Sequence, residues 1–287
     1  MELDVTFPQV EIGSDPGAIR AYAQAVEALG FTRLVALDHV LGADTRNRPD
    51  WTGPYTSKDM VHEPLVLLSY LAAVTTRLQL VTAILILPQR QTALVAKQAA
   101  EIDVLSGGRL TLGVGLGWNL VEFEALGENF HNRGRRMEEQ IEVLRALWTQ
   151  EAVTFHGRWH HISGAGINPL PVQRPIPIWF GAQTDVAFQR AARLGDGLIL
   201  LRAPRQEWAA LAERLRGYAR AAGREASSLG LEITVNLADT PQDQWATAWT
   251  HWQAAGGTHL RVGTVGCGFT SVDQHIEALR HFREALS

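Results

Sequence analysis

Short, nearly continuous apolar runs alternate along the chain with longer amphipathic patterns. Apolar runs of this kind are typical of parallel strands that helices cover, whereas the longer patterns repeat at the helical period. The runs predict eight strands, over 3–8, 33–39, 78–87, 109–116, 176–181, 197–202, 231–237 and 259–264. The longer patterns predict helices over 16–29, 63–75, 91–105, 134–149, 184–194, 206–222, 242–255 and 271–286.

Glycines mark where several of the predicted helices end. Gly30, Gly195 and Gly256 each stand between a helical pattern and the next apolar run. Glycine adopts the left-handed conformation of a helix C-cap at little cost, so these junctions indicate helix-to-strand connections of one type. Eight strand–helix units predict a (β/α)8 TIM barrel, expected as a single domain over 1–287. A doubly wound open sheet is the competing arrangement.

Three connections are unusually long. They follow the second predicted strand (40–62), follow the fourth (117–133) and precede the fifth (150–175). Long loops are often functional, and the first two leave the carboxyl ends of their strands, which form the catalytic face of such a barrel.

Composition narrows the class of protein. The 287 residues carry a net charge of −4, which argues against a general nucleic-acid binder, and the 46% hydrophobic content excludes a disordered chain. The single cysteine, Cys267, excludes a disulfide framework and a cysteine-rich zinc site. The most apolar run, 80–88, is about half the ~20 residues that a membrane span needs. Without a signal-like start, we expect a cytoplasmic protein that acts on a small molecule, with no membrane partner.

Asp38 and His39 end the second predicted strand. Adjacent strand residues point to opposite faces, so at a barrel rim one can face a ligand while the other supports the loop. Histidine serves as an acid or base near neutral pH. The structural alternative is a capping or packing histidine.

Glycines concentrate at the end of the fourth predicted strand, over 113–119. The dinucleotide fingerprint fails here, because Trp118 stands where its third glycine would fall. The glycines either let a ligand approach the backbone or form a plain strand end and turn. After the fifth strand, Thr184 is a plausible N-cap, which makes that helix start either an anion site or a simple capped helix.

Two further segments have alternative interpretations. Thr82 and Ala83 interrupt an aliphatic strand, and such small residues either relieve crowding in the barrel or form a bulge behind a flat ligand. His156, His160 and His161 invite a metal-site interpretation, but Gly157 and the flanking aromatic residues favour a hairpin. We therefore expect no metal site. The motifs of glycosidases, α/β-hydrolases and P-loop proteins are missing from the sequence.

Taken together, these segments resemble the luciferase-like monooxygenase superfamily, and more closely its deazaflavin (coenzyme F420)-dependent branch. The resemblance covers nearly the whole chain, and the order and spacing of the segments carry it. These segments are Asp38-His39-Val40, Leu85 to Pro88, Ala96 to Ala100, Leu105 to Arg109, Gly113 to Asn119 with Glu122-Phe123, Pro177 to Gly181, and Gly195-Asp196-Gly197.

The resemblance implies a cofactor site at the carboxyl-terminal mouth of the barrel. A bulge with a non-proline cis peptide, expected at Thr82-Ala83, would back the cofactor ring. Asp38 and His39 would lie near the ring, with His39 close to the reacting carbon as the catalytic residue. The remaining cofactor-binding residues implied are Leu116, Gly117, Asn119, Gly181, Gln183, Thr184, Val186 and Ala187. A homodimer is a further expectation from the family.

Departures from the pattern of the family's sugar-phosphate dehydrogenases affect the expected substrate. Trp118 replaces their acid at the end of the fourth strand, Ala43 replaces their tryptophan, and no lysine follows Lys97 to clamp a phosphate. Trp51, Tyr55 and Trp118 instead predict an apolar, aromatic substrate pocket. We expect hydride transfer between F420 and a small organic substrate. The alternatives are an FMN-dependent monooxygenase and a non-catalytic flavin-binding protein.

Overall fold

The computed structural model describes residues 1–200 and 203–286. Its strands, numbered in chain order, are β1 (Glu2–Thr6), β2 (Arg33–Ala36), β3 (Gln79–Thr82), β4 (Leu85–Ile86), β5 (Leu110–Gly115), β6 (Val153–His156), β7 (His161–Ala165), β8 (Ile178–Gly181), β9 (Gly197–Leu200), β10 (Gly230–Asn236) and β11 (His259–Gly263). The helices are α1 (Pro16–Ala28), α2 (Pro64–Val74), α3 (Thr92–Ser106), α4 (Leu120–Ala125), α5 (Arg133–Thr149), α6 (Asp185–Leu194), α7 (Trp208–Ala221), α8 (Trp245–Ala254) and α9 (Val272–Ala285).

Eight parallel strands close into a barrel. The order around the ring is β1, β2, β3, β5, β8, β9, β10 and β11. The ring is continuous because β1 pairs with β11, with Leu3 opposite Leu260, and β3 pairs with β5, with Leu80 opposite Leu110. The (β/α)8 prediction is confirmed, and the open-sheet alternative is wrong. The predicted strand 197–202 is confirmed to Leu200, since Leu201 and Arg202 lie outside the described residues.

The predicted helices form where the sequence supplies helix starts. Asp15 caps α1 by accepting hydrogen bonds from the backbone N–H groups of Gly17 and Ala18, both at 3.1 Å. Proline follows at the first helical position, where its missing N–H costs nothing. Helix α4 was not predicted. Among the described residues, no helix is both long and apolar enough to cross a membrane.

The long connection before β8 contains the predicted hairpin. Strands β6 and β7 pair antiparallel, with His156 opposite His161. His160 connects the hairpin to the barrel's helices, because its Nδ1 lies 2.8 Å from Oε1 of Glu139 and its Nε2 lies 2.6 Å from Oγ1 of Thr92. Across the described residues, no group of three or more potential metal ligands is assembled.

An ionic cluster occupies the barrel interior towards the amino ends of the strands. Asp4, Arg33, Glu232 and Arg261 are all buried, and Nε of Arg261 lies 3.0 Å from Oε1 of Glu232. Burial raises the pKa of both Asp4 and Glu232. Further towards the carboxyl ends of the strands lies a small apolar cluster, which separates these charges from the mouth. Its buried members are Val35, Val81, Ala83, Trp179 and Ile199.

Candidate active site

A break between β3 and β4 shapes one side of the barrel mouth. β3 ends at Thr82, whose hydroxyl donates to the carbonyl oxygen of Gly113 at 2.7 Å. A cis peptide bond then joins Ala83 to Ile84. The expected position, Thr82-Ala83, is therefore wrong by one residue, whereas the non-proline cis bond itself is confirmed.

The side chain of Ile84 fills the space beside two strand-end glycines. A Cβ atom on Gly181 would lie 2.5 Å from Cγ2 of Ile84, and one on Gly115 would collide with Cδ1 of Ile84. Gly117 has a φ of +69°, and a Cβ there would lie 2.6 Å from Ile86. These three glycines leave room for the side chains of Ile84 and Ile86. Contact of Leu116, Gly117 and Gly181 with a cofactor stays a prediction.

Asp38 binds the short segment that follows the cis bond, over Ile84 to Ile86. Its Oδ2 accepts the backbone N–H of Ile86 at 2.8 Å, and its Oδ1 accepts from Arg90 at 2.8 Å. Arg90 also donates to Oε1 of Glu63 at 2.8 Å. Burial raises the pKa of Asp38, and the attraction of Arg90 only partly offsets this. Both carboxylate oxygens of Asp38 accept from protein donors, so this residue positions the segment that follows the cis bond, and its contact with a cofactor stays a prediction.

His39 is held by a buried carboxylate that we did not predict to be functional. Nδ1 of His39 lies 3.2 Å from Oε2 and 3.3 Å from Oε1 of Glu122. Oε1 also accepts the backbone N–H groups of Val40 at 2.8 Å and Leu41 at 3.2 Å. Burial raises the pKa of Glu122, but the hydrogen bonds from His39, Leu41 and Val40 outweigh it, and the pKa lies below its ordinary value.

The ionised Glu122 determines which nitrogen of His39 carries a proton. A carboxylate only accepts hydrogen bonds, so Nδ1 of His39 must be the donor. Nε2 is then the atom of His39 that can exchange a proton with a ligand. The His39 side chain is 10% exposed, which leaves it within reach of the mouth.

Asn119 connects the two loops that carry this pair. Its Oδ1 caps α4 by accepting the N–H of Val121 at 3.1 Å, and its Nδ2 donates to the carbonyl oxygen of Leu41 at 3.3 Å. The spacing from Asn119 to Glu122 is that of a capping pattern, which was the available signal for α4. The pattern alone assigns Glu122 to its own helix start, whereas the structure turns its carboxylate to the loop after β2. Asn119 is buried, and its predicted contact with a cofactor stays a prediction.

The three residues predicted to line the substrate pocket contact one another, and two of them, Tyr55 and Trp118, also contact His39. The His39 ring centroid is 4.6 Å from that of Tyr55 and 5.6 Å from that of Trp118. Trp51 lies 5.7 Å from Trp118 and donates its indole N–H to the carbonyl oxygen of Tyr55 at 3.0 Å. The long loop after β2 therefore brings Tyr55 to His39 and Trp51 to Trp118. Their contact with a substrate stays a prediction.

The start of α6 lies at the same end of the barrel, after β8. Thr184 is the N-cap, as predicted, and its hydroxyl accepts the N–H of Ala187 at 3.4 Å. Gln183, Thr184 and Val186 are exposed. The first N–H groups of a helix have no intrahelical acceptor, so this terminus suits an anionic group. The carboxylate of Asp185 is engaged by the hydroxyl of Tyr218 at 3.0 Å.

Curated relatives match part of the chain. An uncharacterized protein of Mycobacterium tuberculosis is 38% identical over 180 residues, which cover 61% of this chain and 62% of that protein. An FMNH2-dependent dimethylsulfone monooxygenase of Pseudomonas putida is 39% identical over 142 residues, which cover 48% of this chain and 39% of that protein. The matched part of the chain spans less than two thirds of the length of either relative.

Solved structures and a family model match nearly the whole chain. An F420-dependent secondary alcohol dehydrogenase, in complex with an F420-acetone adduct, covers 100% of both chains with a TM-score of 0.80 at 17% identity. The monooxygenase RslO1 of Streptomyces bottropensis covers 100% of this chain and 98% of its own with a TM-score of 0.79 at 21% identity. At these identities the likeness shows the fold. The model of the luciferase-like monooxygenase family matches residues 4–286, and the chain belongs to that family of oxidoreductases and monooxygenases.

Proposed function

We propose that this protein is an oxidoreductase that transfers a hydride between coenzyme F420 and a small organic substrate. The observation that carries the proposal is the contact between His39 and the buried carboxylate of Glu122 at the mouth of the barrel. Hydride transfer to a carbonyl or a carbon–carbon double bond also requires a proton, and a held imidazole is suited to supply it.

The residues at the mouth fit a tricyclic ring with a phosphorylated tail. The Ala83-Ile84 bulge offers the partly exposed side chain of Ile84 as an apolar backing for a flat ring. The open start of α6 offers backbone N–H groups for a phosphate, with Gln183 and Thr184 exposed beside them. Val186, which is 66% exposed, supplies apolar surface at the same point. Leu116 and Gly117 lie at the end of β5, where they would contact the chain between ring and phosphate.

Each part of the site has a separate task. The bound deazaflavin supplies or accepts the hydride. In its imidazolium form His39 carries a proton on both nitrogens, so Nε2 can donate one while Nδ1 donates its hydrogen bond to Glu122. Tyr55 and Trp118 cover His39 and limit the access of water.

FMN-dependent monooxygenation is the second candidate function. A relative named as an FMNH2-dependent monooxygenase is 39% identical over the part of the chain that it matches, which supports this candidate. The start of α6 would accept the phosphate of FMN equally well. The two candidates differ in their need for molecular oxygen and for a proton donor, and we place the F420 reaction first because of His39.

Turnover without oxygen tests this order. Reduced F420 is mixed with the protein and a panel of aldehydes and ketones under anaerobic conditions, and oxidised F420 is followed by its absorbance. We expect catalytic oxidation of the cofactor and formation of the alcohol. Turnover that requires both reduced FMN and oxygen would replace our proposal with the monooxygenase. A bound cofactor that no member of the panel reoxidises would instead favour a non-catalytic binding protein.

A further inference from the structure

The rim between β2 and β5 carries an apolar surface. Val40, Leu41, Trp118 and Leu120 are all large hydrophobic residues that remain exposed, and we call them the rim patch. The hydrogen bonds of Glu122 to Val40 and of Asn119 to Leu41 bring the two loops of the patch together. Exposed apolar residues that gather in this way mark binding surfaces.

The neighbouring arginines already face carboxylates. Arg46 donates to both oxygens of Asp44, at 3.0 and 2.8 Å. Arg48 lies 3.9 Å from a carboxylate oxygen of Glu124. Because each guanidinium group already faces a carboxylate, neither adds an uncompensated positive charge that would select an anionic substrate. The rim patch and its neighbours therefore favour an uncharged ligand.

Trp118 offers an open ring surface within reach of His39. Gly53 of the long loop packs against two indoles, since a Cβ atom there would lie 2.5 Å from Trp51 and 2.6 Å from Trp118. The planes of the two indoles are inclined by 43°, so they do not stack fully on each other. Trp118 stays 43% exposed despite its contacts with Trp51, Gly53 and His39.

Resting on the function proposed above, we infer that the substrate is an uncharged compound in which a planar aromatic ring carries a carbonyl group. The aromatic ring of the substrate packs on Trp118 and on the other residues of the rim patch, and its carbonyl oxygen reaches His39. The ring centroids of Trp118 and His39 lie 5.6 Å apart, so one small molecule can contact both. Aromatic pairs prefer offset or edge-to-face contacts, which the inclined, half-open indole permits.

Reduction of the carbonyl group to an alcohol requires one hydride and one proton. A reduced deazaflavin bound at the mouth would supply the hydride to the carbonyl carbon, so that a C–H bond forms as the C=O π bond breaks. The oxygen would take a proton from Nε2 of the imidazolium form of His39, which gives the alcohol. The proton that the oxidised cofactor releases to solvent balances the one that His39 takes up again. The carbonyl compound is reduced and the deazaflavin is oxidised.

Calorimetric binding without turnover tests the inference. The probes are 2-naphthaldehyde and its carboxylate counterpart, 6-formyl-2-naphthoate, titrated into the protein with and without F420. The variants are Trp118→Ala, Trp118→Phe and the control Trp159→Ala, whose indole lies in the hairpin turn. Thermal unfolding confirms that each variant is folded. Oxidised F420 is titrated separately and followed by its absorbance.

We expect the neutral aldehyde to bind about tenfold tighter than the charged one. Trp118→Ala weakens this binding about tenfold, Trp118→Phe changes it less than about threefold, and Trp159→Ala leaves it unchanged. Equal or tighter binding of the carboxylate, or an unchanged affinity in Trp118→Ala, would overturn the inference. If the aldehyde binds as expected but F420 does not bind, the inferred aromatic-ring site stands and the proposed cofactor fails.

Discussion

Nδ1 of His39 lies 3.2 Å from Oε2 of Glu122, and the same carboxylate accepts the backbone N–H of Val40 at 2.8 Å. One buried group thus holds both the imidazole and the start of the long loop that covers it. This contact joins the end of β2 to α4, which follows β5. The carboxylate that holds His39 therefore also holds Val40, which belongs to the rim patch.

Replacing His39 by alanine tests its role as proton donor. We expect the turnover number to fall by about 10²–10⁴-fold, since that is the usual contribution of a positioned acid or base. The dissociation constant of F420 should change by less than about threefold, because the substitution leaves the proposed ring and phosphate contacts in place. Steady-state kinetics and absorbance titration measure the two quantities. His161→Ala, in the exposed strand β7, is the control, and undiminished turnover in His39→Ala would remove His39 from the mechanism.

Replacing Glu122 by glutamine tests its role as a positioning residue. The side chain keeps its size, but glutamine lacks the negative charge that stabilises the imidazolium form of His39, from which Nε2 donates its proton. We expect kcat to fall at least about tenfold with a smaller change in KM, and the pH profile of kcat to change shape. Glu124→Gln is the matched control, because that carboxylate lies on the same helix but is exposed. Equal kinetics in both variants would show that Glu122 has only a structural role.

The lowered pKa of Glu122 predicts how stability depends on pH. An acid whose pKa is lower in the folded state stabilises the fold above its unfolded pKa, near 4.3, and this contribution is lost as the pH falls through the folded value. The difference in unfolding free energy between wild type and Glu122→Gln should therefore shrink between about pH 5 and pH 3. Urea unfolding at several pH values measures it. A difference that is constant across this range would contradict the assignment of Glu122 as the ionised partner.

Gly53→Ala tests the packing of the long loop on the indoles. The added methyl group would lie 2.5 Å from Trp51 and 2.6 Å from Trp118, so at least one ring must move. We expect a changed near-ultraviolet circular dichroism spectrum and a KM for aromatic carbonyl substrates that rises about threefold or more. The control is Gly217→Ala in α7, where the nearest atom to the added Cβ is a guanidinium nitrogen of Arg220 at 4.0 Å, and the alanine should stabilise the helix by about 1 kcal/mol. An unchanged spectrum and KM in Gly53→Ala would show that this contact is dispensable.

Local sequence patterns predicted the barrel strands and most helices, because hydrophobic period and caps are local properties. The pattern over 78–87 predicted one strand, whereas the structure divides it at Ala83-Ile84. The division depends on Gly115 and Gly181, which lie on other strands and leave room for Ile84. The hydrophobic pattern of one segment cannot show contacts with residues that lie on other strands.

The sequence named several residues that the structure places near one another, but it did not show how they are connected. Tyr55 and Trp118 lie beside His39, their contact with a ligand stays a prediction, and Glu122 was not assigned a function. Its partners lie more than 80 positions earlier in the sequence, and only the closed barrel brings β2 next to α4. The position of Asp38 near a cofactor stays a prediction, and the sequence did not show that its two oxygens accept from Ile86 and Arg90. Sequence order indicates which residues reach the mouth but not which of them pair there.

Titration with the two cofactors tests the central claim most directly. Oxidised F420 and FMN are added separately to the purified protein, and binding is followed by the absorbance and fluorescence of each cofactor. We expect saturable binding of F420 that is at least about tenfold tighter than that of FMN, and Gln183→Ala together with Thr184→Ala should weaken it. Tight binding of FMN with no binding of F420 would contradict the account.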